Sequence, residues 1–243
     1  MRQFGLIGYP LGHSFSKKYF SEKFEREKIS GNAYALYPLE QIDQIEALLE
    51  STPGLAGLNV TIPYKEKVLA YLDEMSPVVS EIGACNCIKI DQGLLIGHNT
   101  DVIGFSRSLL PKLNAHHQRA LVFGSGGSAK AVLYVLKELK IPFVQVSRTP
   151  GEGMISYTDV DRQVLETHTL LINTTPLGMH PDLESAPAIP YDCIGPNHYL
   201  FDLVYNPHRT RFLQEGALRG AAVENGADML VIQAEASWDI WNR

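Results

Sequence analysis

Glycine residues concentrate in one short segment, directly after an apolar run that is typical of a β-strand. The run Ala120–Phe123 leads into Gly124-Ser125-Gly126-Gly127-Ser128. Because glycine has no Cβ, such a loop can turn sharply and present its N–H groups to a pyrophosphate. The helix predicted after it directs its positive end at the same phosphates. An ordinary strand-to-helix turn is the alternative that the pattern leaves open. The segment indicates a dinucleotide site.

The end of the next predicted strand favours a cofactor with an extra phosphate. The strand 143–146 is followed by Ser147-Arg148-Thr149, and no Asp or Glu occurs between Lys140 and Gly151. A NAD site usually places an acidic residue here for the ribose hydroxyls, whereas a guanidinium pairs with a 2′-phosphate. The sequence therefore predicts NADP(H) rather than NAD(H). A solvated loop charge is the alternative for Arg148.

A second polar cluster, Asn59-Val-Thr61-Ile-Pro63-Tyr-Lys65, lies in the first half of the chain. Asn59 and Thr61 have the alternating spacing of a strand, so both can face one cavity. Pro63 suits the first turn of a helix, which would place Lys65 at an unfavourable end of the helix dipole. A lysine in a cleft can give a proton to a developing alkoxide and take it back in reverse. Lys65 is therefore a candidate acid–base catalyst, with an exposed solvated lysine as the alternative.

Further polar residues can complete a substrate site. In an extended loop Ser14 and Ser16 would point the same way and bind a carboxylate, although one of them can instead cap a helix beginning near Ser16. Asn86 can hydrogen-bond to substrate hydroxyls, and Asp101 can orient Lys65 and share its proton. Taken singly, Asn86 is equally explained as a turn residue and Asp101 as a helix N-cap. Their occurrence together favours a site.

Segments typical of strands and of helices alternate along the chain. Strands are predicted at 4–8, 33–37, 57–60, 120–123, 143–146, 170–173, 199–202 and 221–223, a hairpin at 88–90 and 94–96, and helices at 16–28, 39–49, 101–113, 128–139 and 229–241. This alternation predicts an α/β fold with largely parallel sheets and helices on both faces. We expect two domains. Residues 1–100 with 226–243 form an N-terminal α/β substrate domain, and 101–225 form a Rossmann-type, doubly wound NADP-binding domain.

Composition excludes several classes of protein. The chain has 243 residues, is 45% hydrophobic and carries a formal net charge of −6 without a block of like charges, so neither nucleic acid nor an anionic membrane is an expected partner. It lacks an apolar run long enough to span a bilayer and a signal-peptide region. Three cysteines do not form a disulfide framework, and the eight histidines lack a metal-binding pair. We expect a cytoplasmic protein, a monomer or homodimer, that binds a small molecule.

Taken together, the motifs resemble the shikimate dehydrogenase family along nearly the whole chain. The matching segments are Ser14 and Ser16, Asn59–Lys65, Gly83–Asn86, Asn99–Asp101, the glycine loop, Asn173–Met179, Asp202–Pro207 and Gly226–Ala234. The resemblance implies the reversible NADPH-dependent reduction of 3-dehydroshikimate to shikimate, in chorismate and aromatic amino-acid biosynthesis.

The resemblance also implies a role for each matching residue. Lys65 and Asp101 would carry the acid–base step. Ser14 and Ser16 would bind the substrate carboxylate, Asn59, Thr61, Asn86, Asp101 and Gln233 would hold its ring hydroxyls, and Tyr205 would lie close by. The cofactor would be bound by Gly124, Ser125, Gly126, Gly127, Ser128, Ser147, Arg148, Thr149, Thr174, Gly226 and Met229.

The chain departs from the family pattern at three places. Arg148 lacks a second basic residue nearby and is followed by Glu152, which predicts a weaker preference for NADP. The chain ends at Arg243 without the final helix of many members, which predicts a looser contact between the domains. Glu235 stands where members often have alanine and is expected to place a charge near the site.

Two other functions compete with this interpretation. A quinate/shikimate dehydrogenase using NAD is the nearer alternative, but Ser16 and the basic Arg148 argue against it. A non-catalytic metabolite-binding regulator belongs to another class, and a regulator would not require both Lys65 and Asp101.

Overall fold

The computed structural model describes residues 1–12 and 14–243, which form two compact units. The first unit contains Met1–Ile103 and Leu230–Arg243, and the second contains Gly104–Met229. The first boundary, at 103/104, lies three residues after the predicted one at 100/101. The second, at 229/230, lies four residues after the predicted one at 225/226.

The secondary structure alternates as expected. The strands are β1 (Arg2–Gly8), β2 (Asn32–Pro38), β3 (Leu55–Val60), β4 (Glu74–Met75), β5 (Cys87–Asp91), β6 (Leu94–His98), β7 (Ala120–Phe123), β8 (Phe143–Val146), β9 (Met154–Ile155), β10 (Leu170–Asn173), β11 (Tyr199–Asp202) and β12 (Ala222–Glu224). The α-helices are α1 (Phe15–Arg26), α2 (Gln44–Ser51), α3 (Pro77–Ile82), α4 (Asp101–Leu109), α5 (Gly127–Glu138), α6 (Arg162–Thr167), α7 (Arg211–Leu218) and α8 (Ala227–Trp241). Short 3₁₀ helices lie at Lys67–Tyr71, Leu110–Lys112, Tyr157–Asp159 and Tyr191–Cys193.

The first unit is built on a mixed sheet with strand order β2-β1-β3-β5-β6-β4. Strand β1, second from one edge of the sheet, pairs in parallel with β2 and β3, and Leu6 lies opposite Leu36 and Asn59. The predicted hairpin is confirmed as the antiparallel pair β5–β6. Because β3 is also antiparallel to β5, Asn59 lies opposite Cys87. This register brings the segments around Asn59 and Asn86 together.

An aromatic cluster joins β1, α1 and α8 within the first unit. Phe4, Phe20 and Trp241 are almost completely buried, and the Phe4 and Trp241 rings stack with their centroids 4.8 Å apart. Trp241 Nε1 donates to the carbonyl oxygen of Ile88 at 2.9 Å. A Cβ at Gly57 would overlap the Trp241 ring, which explains why β3 carries glycine there. These contacts fix the position of α8, which carries Gln233.

The second unit confirms the predicted Rossmann-type fold. Its sheet has the order β12-β11-β10-β7-β8-β9, with parallel pairing throughout the described strands. Numbered along this unit, that is the doubly wound order 3-2-1-4-5-6. The order reverses between β7 and β10, and ligands of such sheets bind beyond the carboxyl ends of the strands at that point. The predicted glycine loop follows β7.

Two predicted helices differ from the structure. The helix expected at 39–49 begins only at Gln44, and the helix expected at 101–113 ends at Leu109. Pro111 lies in the 3₁₀ turn that follows, where its missing N–H ends the α-helical hydrogen bonding. No helix in the described residues is long and apolar enough to cross a membrane. Among these same residues, no group of three or more His, Cys, Asp and Glu side chains is placed to hold a metal ion.

Candidate active site

The centre of the candidate site is an ion pair between Lys65 and Asp101. Lys65 Nζ lies 2.6 Å from Asp101 Oδ2, and the two side chains are 14% and 8% exposed. Asp101 is the first residue of α4, where a carboxylate is favoured by the helix dipole. The predicted pairing of these two residues therefore exists in the structure, in surroundings that largely exclude water.

The backbone that carries Lys65 is a turn, and the predicted helix start at Pro63 is wrong. Tyr64 N donates to Thr61 O, which closes a turn, and the 3₁₀ helix begins only at Lys67. Cys85 N donates to Lys65 O at 2.7 Å. This contact between distant segments fixes the Lys65 backbone, so the argument from an unfavourable helix dipole does not apply.

Asn86 holds the second oxygen of the Asp101 carboxylate. Its Nδ2 donates to Asp101 Oδ1 at 2.8 Å and to Thr100 Oγ1 at 3.1 Å, and its Oδ1 accepts from Thr100 N at 2.6 Å. Asn86 and Thr100 are both buried. Since Lys65 occupies the other oxygen, Asp101 is fixed as a carboxylate that faces the lysine.

Asn59, on β3, and Gln233, on α8, form hydrogen bonds with Asn86 and Thr100, respectively. Asn59 is 5% exposed, and its Oδ1 accepts from the Tyr34 hydroxyl at 2.9 Å. Gln233 Oε1 accepts from Thr100 Oγ1 at 3.3 Å. Tyr34 and Thr100 were not predicted as site residues: Tyr34 belongs to no recognised motif, and Thr100 lies in the matching segment Asn99–Asp101 but was given no role of its own.

Ser14 and Ser16 do not share an extended loop, and the alternative that the sequence left open, a helix cap by one of them, is the one found. Helix α1 begins at Phe15 and contains Ser16, and the Ser14 side chain caps it by accepting from Lys17 N at 3.4 Å. Capping uses an oxygen lone pair, so the Ser14 hydroxyl can still donate to a carboxylate. Ser16 is 9% exposed and lies in the first turn of α1.

Thr61 and Tyr205 are half-buried residues of loops that follow strands. Thr61 N donates to Ile7 O at 2.9 Å, which fixes the Thr61 backbone just beyond β3. Tyr205 belongs to the second unit, in the loop after β11. Their roles in binding substrate stay predictions.

The cysteines next to this site are not nucleophiles. Cys85 and Cys87 are completely buried. Burial raises the pKa of the Cys85 thiol to about 12, and it raises the pKa of Cys87 further. A thiol that stays protonated at neutral pH is a poor nucleophile.

In the second unit, the glycine loop has the geometry that a phosphate site needs. Gly124 has φ +113°, which side chains rarely allow, and a Cβ there would overlap Thr174 Oγ1. A Cβ at Gly126 would meet no atom within 4 Å, so the loop is open at this point. Helix α5 starts at Gly127, and its N-cap Gly126 offers the first-turn N–H groups no side-chain oxygen. A phosphate can take that place.

The neighbouring loops carry the other residues that were predicted to bind the cofactor near the glycine loop. Thr174 Oγ1 donates to Phe123 O at 2.6 Å, which joins the loops after β10 and β7. Gln145 Nε2 donates to Gly124 O at 2.7 Å, a contact that sequence analysis missed. Ser147 is buried and its Oγ accepts from Thr149 N at 3.2 Å, while Arg148 is exposed. The open glycine loop and the exposed guanidinium fit a dinucleotide with an additional phosphate.

Gly226 and Met229 have structural reasons for their identity. A Cβ at Gly226 would overlap the carbonyl oxygen of Leu203, so the close approach of these two backbone segments requires glycine. Met229 is 6% exposed and packs as a buried residue of α8. Their proposed contacts with the cofactor stay predictions.

Comparison with known proteins decides the family. Residues 6–88 match the family profile described as the shikimate dehydrogenase substrate binding domain. A shikimate dehydrogenase (NADP(+)) of Clostridium beijerinckii is 38% identical over 252 residues, which cover 99% of this chain and 92% of that protein. The enzyme of the same name from Bacillus cytotoxicus is 33% identical over 256 residues, with 98% and 91% covered. The chain belongs to the shikimate dehydrogenase family.

Solved structures agree with this assignment to the shikimate dehydrogenase family. The crystal structure of shikimate 5-dehydrogenase from Thermus thermophilus in complex with NADP(H) and shikimate superposes with a TM-score of 0.88. It is 30% identical in sequence, and the match covers 99% of this chain and 93% of that one. The chorismate mutase/shikimate 5-dehydrogenase fusion protein from Clostridium acetobutylicum has the same TM-score at 34% identity, with 99% and 91% covered.

Glu235, which departs from the shikimate dehydrogenase pattern, forms an ion pair and a hydrogen bond with residues of α1. Lys23 is 4% exposed, and its Nζ lies 2.8 Å from Glu235 Oε2 and 3.0 Å from Glu27 Oε2. The Tyr19 hydroxyl also donates to Glu235. Burial alone would lower the pKa of Lys23, but the hydrogen bonds that its ammonium donates to both carboxylates outweigh burial, and the pKa is raised. The extra charge is therefore neutralised by Lys23.

We expect removal of Glu235 to destabilise the protein more than removal of Lys23. Glu235→Ala leaves the buried Lys23 ammonium with Glu27 alone, and we expect a loss of about 2 kcal/mol in the free energy of unfolding. Lys23→Met leaves a carboxylate that is 39% exposed and solvated, so the loss should stay below about 1 kcal/mol. Urea unfolding of both variants measures the difference. Adding Lys23→Met to Glu235→Ala should restore stability, and equal losses for the single variants would contradict the argument.

Proposed function

We propose that this chain catalyses the reversible NADPH-dependent reduction of 3-dehydroshikimate to shikimate, in chorismate and aromatic amino-acid biosynthesis. The observation that carries the proposal is the Lys65–Asp101 pair, 2.6 Å apart and largely buried. Lys65 lies within residues 6–88, which match the substrate-binding domain, and Asp101 lies beyond them. Relatives over nearly the full length carry the name of this activity.

Reduction of a ketone to an alcohol requires a proton for the carbonyl oxygen, and Lys65 is suited to give it. Its ammonium is held by Asp101, which Asn86 holds in turn, and the Lys65 side chain is only 14% exposed. In the reverse direction the neutral amine takes the proton back from the alcohol. NADPH, when bound, supplies the hydride.

The remaining polar residues of the first unit would bind the substrate. The Ser14 and Ser16 hydroxyls are proposed to bind its carboxylate, and Thr61 with Gln233 to bind ring hydroxyls. Asn59 and Asn86 would do the same from inside the hydrogen-bond network. Polar groups held in fixed positions favour a substrate whose hydroxyls can hydrogen-bond to them. A buried polar group left without a partner makes binding less favourable.

The second unit would hold the cofactor. We assign the pyrophosphate to the Gly124–Ser128 loop and the start of α5, and the 2′-phosphate to Arg148 beside Ser147 and Thr149. The neighbouring crystal structure that contains NADP(H) supports the assignment of this cofactor.

The first test is absorbance of the reduced nicotinamide with purified protein, shikimate and either NADP⁺ or NAD⁺, repeated with quinate. Reduction of NADP⁺ with shikimate, and little with quinate, is the expected result. A preference for NAD⁺ or for quinate would favour the quinate/shikimate dehydrogenase instead. Binding without turnover in any combination would favour a regulator.

Arg148→Ala is expected to raise the KM for NADPH by about 10- to 100-fold, the equivalent of a lost charge-assisted hydrogen bond. The KM for NADH should not change, because NADH lacks the 2′-phosphate that the guanidinium would bind. Steady-state kinetics with both cofactors measures this, and Arg162→Ala provides an exposed arginine of the same unit as the control. Equal losses with both cofactors would reject the phosphate contact.

A further inference from the structure

The side-chain amide of Asn59 is enclosed by hydrogen bonds from three directions. Its Oδ1 accepts from the Tyr34 hydroxyl at 2.9 Å. Its Nδ2 donates to Ser237 Oγ at 3.0 Å and, in a longer contact, to Asn86 O at 3.4 Å. Asn59 lies on β3 and Ser237 on α8, 178 residues apart in the chain. Two elements of the first unit thus meet at this amide.

Ser237 has a defined direction of hydrogen bonding. It is completely buried, and its hydroxyl donates to Gln233 O one helical turn earlier, at 2.9 Å. A serine has one hydroxyl hydrogen, so towards Asn59 Nδ2 the oxygen can only accept. Its remaining lone pair lies 3.2 Å from Thr100 Oγ1. Turning the Asn59 amide over would set its oxygen against Ser237 Oγ and Asn86 O, both of which act as acceptors there.

We propose that Ser237 is a positioning residue that fixes the orientation of the Asn59 amide in the substrate site. This inference rests on the proposed function. Among the contacts of the described residues, the amide keeps only the second lone pair of Oδ1 for a ligand. A ring hydroxyl of the substrate therefore binds Asn59 as a donor. The arrangement selects a hydroxyl at that ring position over a group that only accepts, such as a carbonyl.

Ser237→Ala removes the acceptor and leaves Asn59 Nδ2 with the weak contact to Asn86 alone. The amide can then turn over, and the KM for shikimate is expected to rise about tenfold, the usual scale of one unsatisfied polar group. The KM for NADP⁺ should stay unchanged and kcat should change less than about threefold, because Lys65 and Asp101 keep their partners.

Ser108→Ala is the matched control. Ser108 is a buried helical serine whose hydroxyl donates to Gly104 O, also one turn earlier, at 2.9 Å. If Ser237 mattered only for packing or for its helix, both variants would change thermal stability alike and neither would raise the KM for shikimate alone. In an Asn59→Ala background, Ser237→Ala should add nothing to the KM, because the group it positions is gone.

A second readout is independent of turnover. In NMR spectra, exchange of the Asn59 side-chain amide protons with solvent should be slow in the wild type, faster in Ser237→Ala and unchanged in Ser108→Ala. Unchanged exchange in Ser237→Ala, or additive KM effects in the Asn59→Ala background, would overturn the positioning role. Wild-type protein that neither binds nor oxidises shikimate would overturn the proposed function and the substrate part of this inference, while the amide exchange would still decide what holds Asn59.

Discussion

Replacing Lys65 with alanine is expected to lower kcat by about 10²–10⁴-fold, the scale of a lost general acid–base group. The affinity for shikimate should change little, because the serines, Asn59, Asn86 and Gln233 are the proposed binding groups. The physical reason is the geometry of the pair. With Lys65 Nζ held 2.6 Å from Asp101, the proton donor is placed before the substrate arrives.

The Lys65→Arg variant distinguishes the role of residue 65 in proton transfer from its role as a positive charge beside Asp101. An arginine can keep the ion pair with Asp101, but its guanidinium does not give up a proton in proteins. We therefore expect kcat of this variant to fall nearly as far as in Lys65→Ala, with thermal stability closer to that of the wild type. Steady-state kinetics and thermal unfolding of both variants measure the two effects.

Lys89→Ala is the control for loss of an ion-paired lysine. Lys89 is 20% exposed and pairs with Asp91 at 2.8 Å on β5, in the same unit. Its removal should leave kcat within about twofold, as for a surface substitution away from the site. A variant of Lys65 that raised the KM for shikimate while keeping kcat would make this lysine a binding residue and reject the proposed role.

Buried strands were the part of the fold that the sequence predicted best. The bounds of β7, β8, β10 and β11 agree with the prediction. Strands β7, β10 and β11 are buried throughout, and buried parallel strands are short, largely apolar runs that end abruptly at polar or glycine residues. The hairpin β5–β6 was predicted from its turn, where Gly93 has φ +87°. These signals are local, so they can be recognised from sequence.

Short helices were missed although their caps are visible in the sequence. Helix α3 has Ser76 as N-cap and Pro77 in its first turn, and α6 and α7 are capped by Asp161 and Thr210. With six to eight residues each, these helices are too short to show helical periodicity clearly. Cap residues alone also occur in ordinary turns.

Within the candidate site, the functional residues could be predicted from their types and spacing. The hydrogen bonds that position them could not. Lys65 and Asp101 were paired by their chemistry. The turn that carries Lys65 depends on a backbone hydrogen bond from Cys85, and the orientation of Asn59 depends on Ser237 and Tyr34. Such contacts join residues far apart in the chain, and a single sequence does not reveal which distant hydroxyl faces which amide.

Acid is expected to destabilise the second unit through His117. This residue is 3% exposed, and its Nδ1 accepts from Asn114 N at 3.0 Å, which requires an unprotonated nitrogen. Burial, followed by the neighbouring His116 and His198, lowers the pKa of His117 to about 4. The neutral ring packs against Tyr199, with ring centroids 5.6 Å apart. A charged imidazole does not fit these surroundings.

The sign of the effect follows from proton binding. The unfolded chain takes up a proton at His117 near pH 6.5, but the folded protein does so only near pH 4. The free energy of unfolding is therefore unaffected by this residue above about pH 6.5 and falls by about 2–3 kcal/mol as the pH drops from 6.5 to 4. His168 is also buried with a lowered pKa, so it adds to the same trend.

Urea unfolding at several pH values between 4 and 8 tests this expectation. His117→Gln keeps a side chain that can accept from Asn114 N but cannot take up a proton, so its unfolding free energy should fall less steeply below pH 6.5. His180→Gln, at an exposed position, should keep the full dependence. If His117→Gln followed the same curve as the wild type, the acid sensitivity would have to come from other groups, with His168 the first to replace.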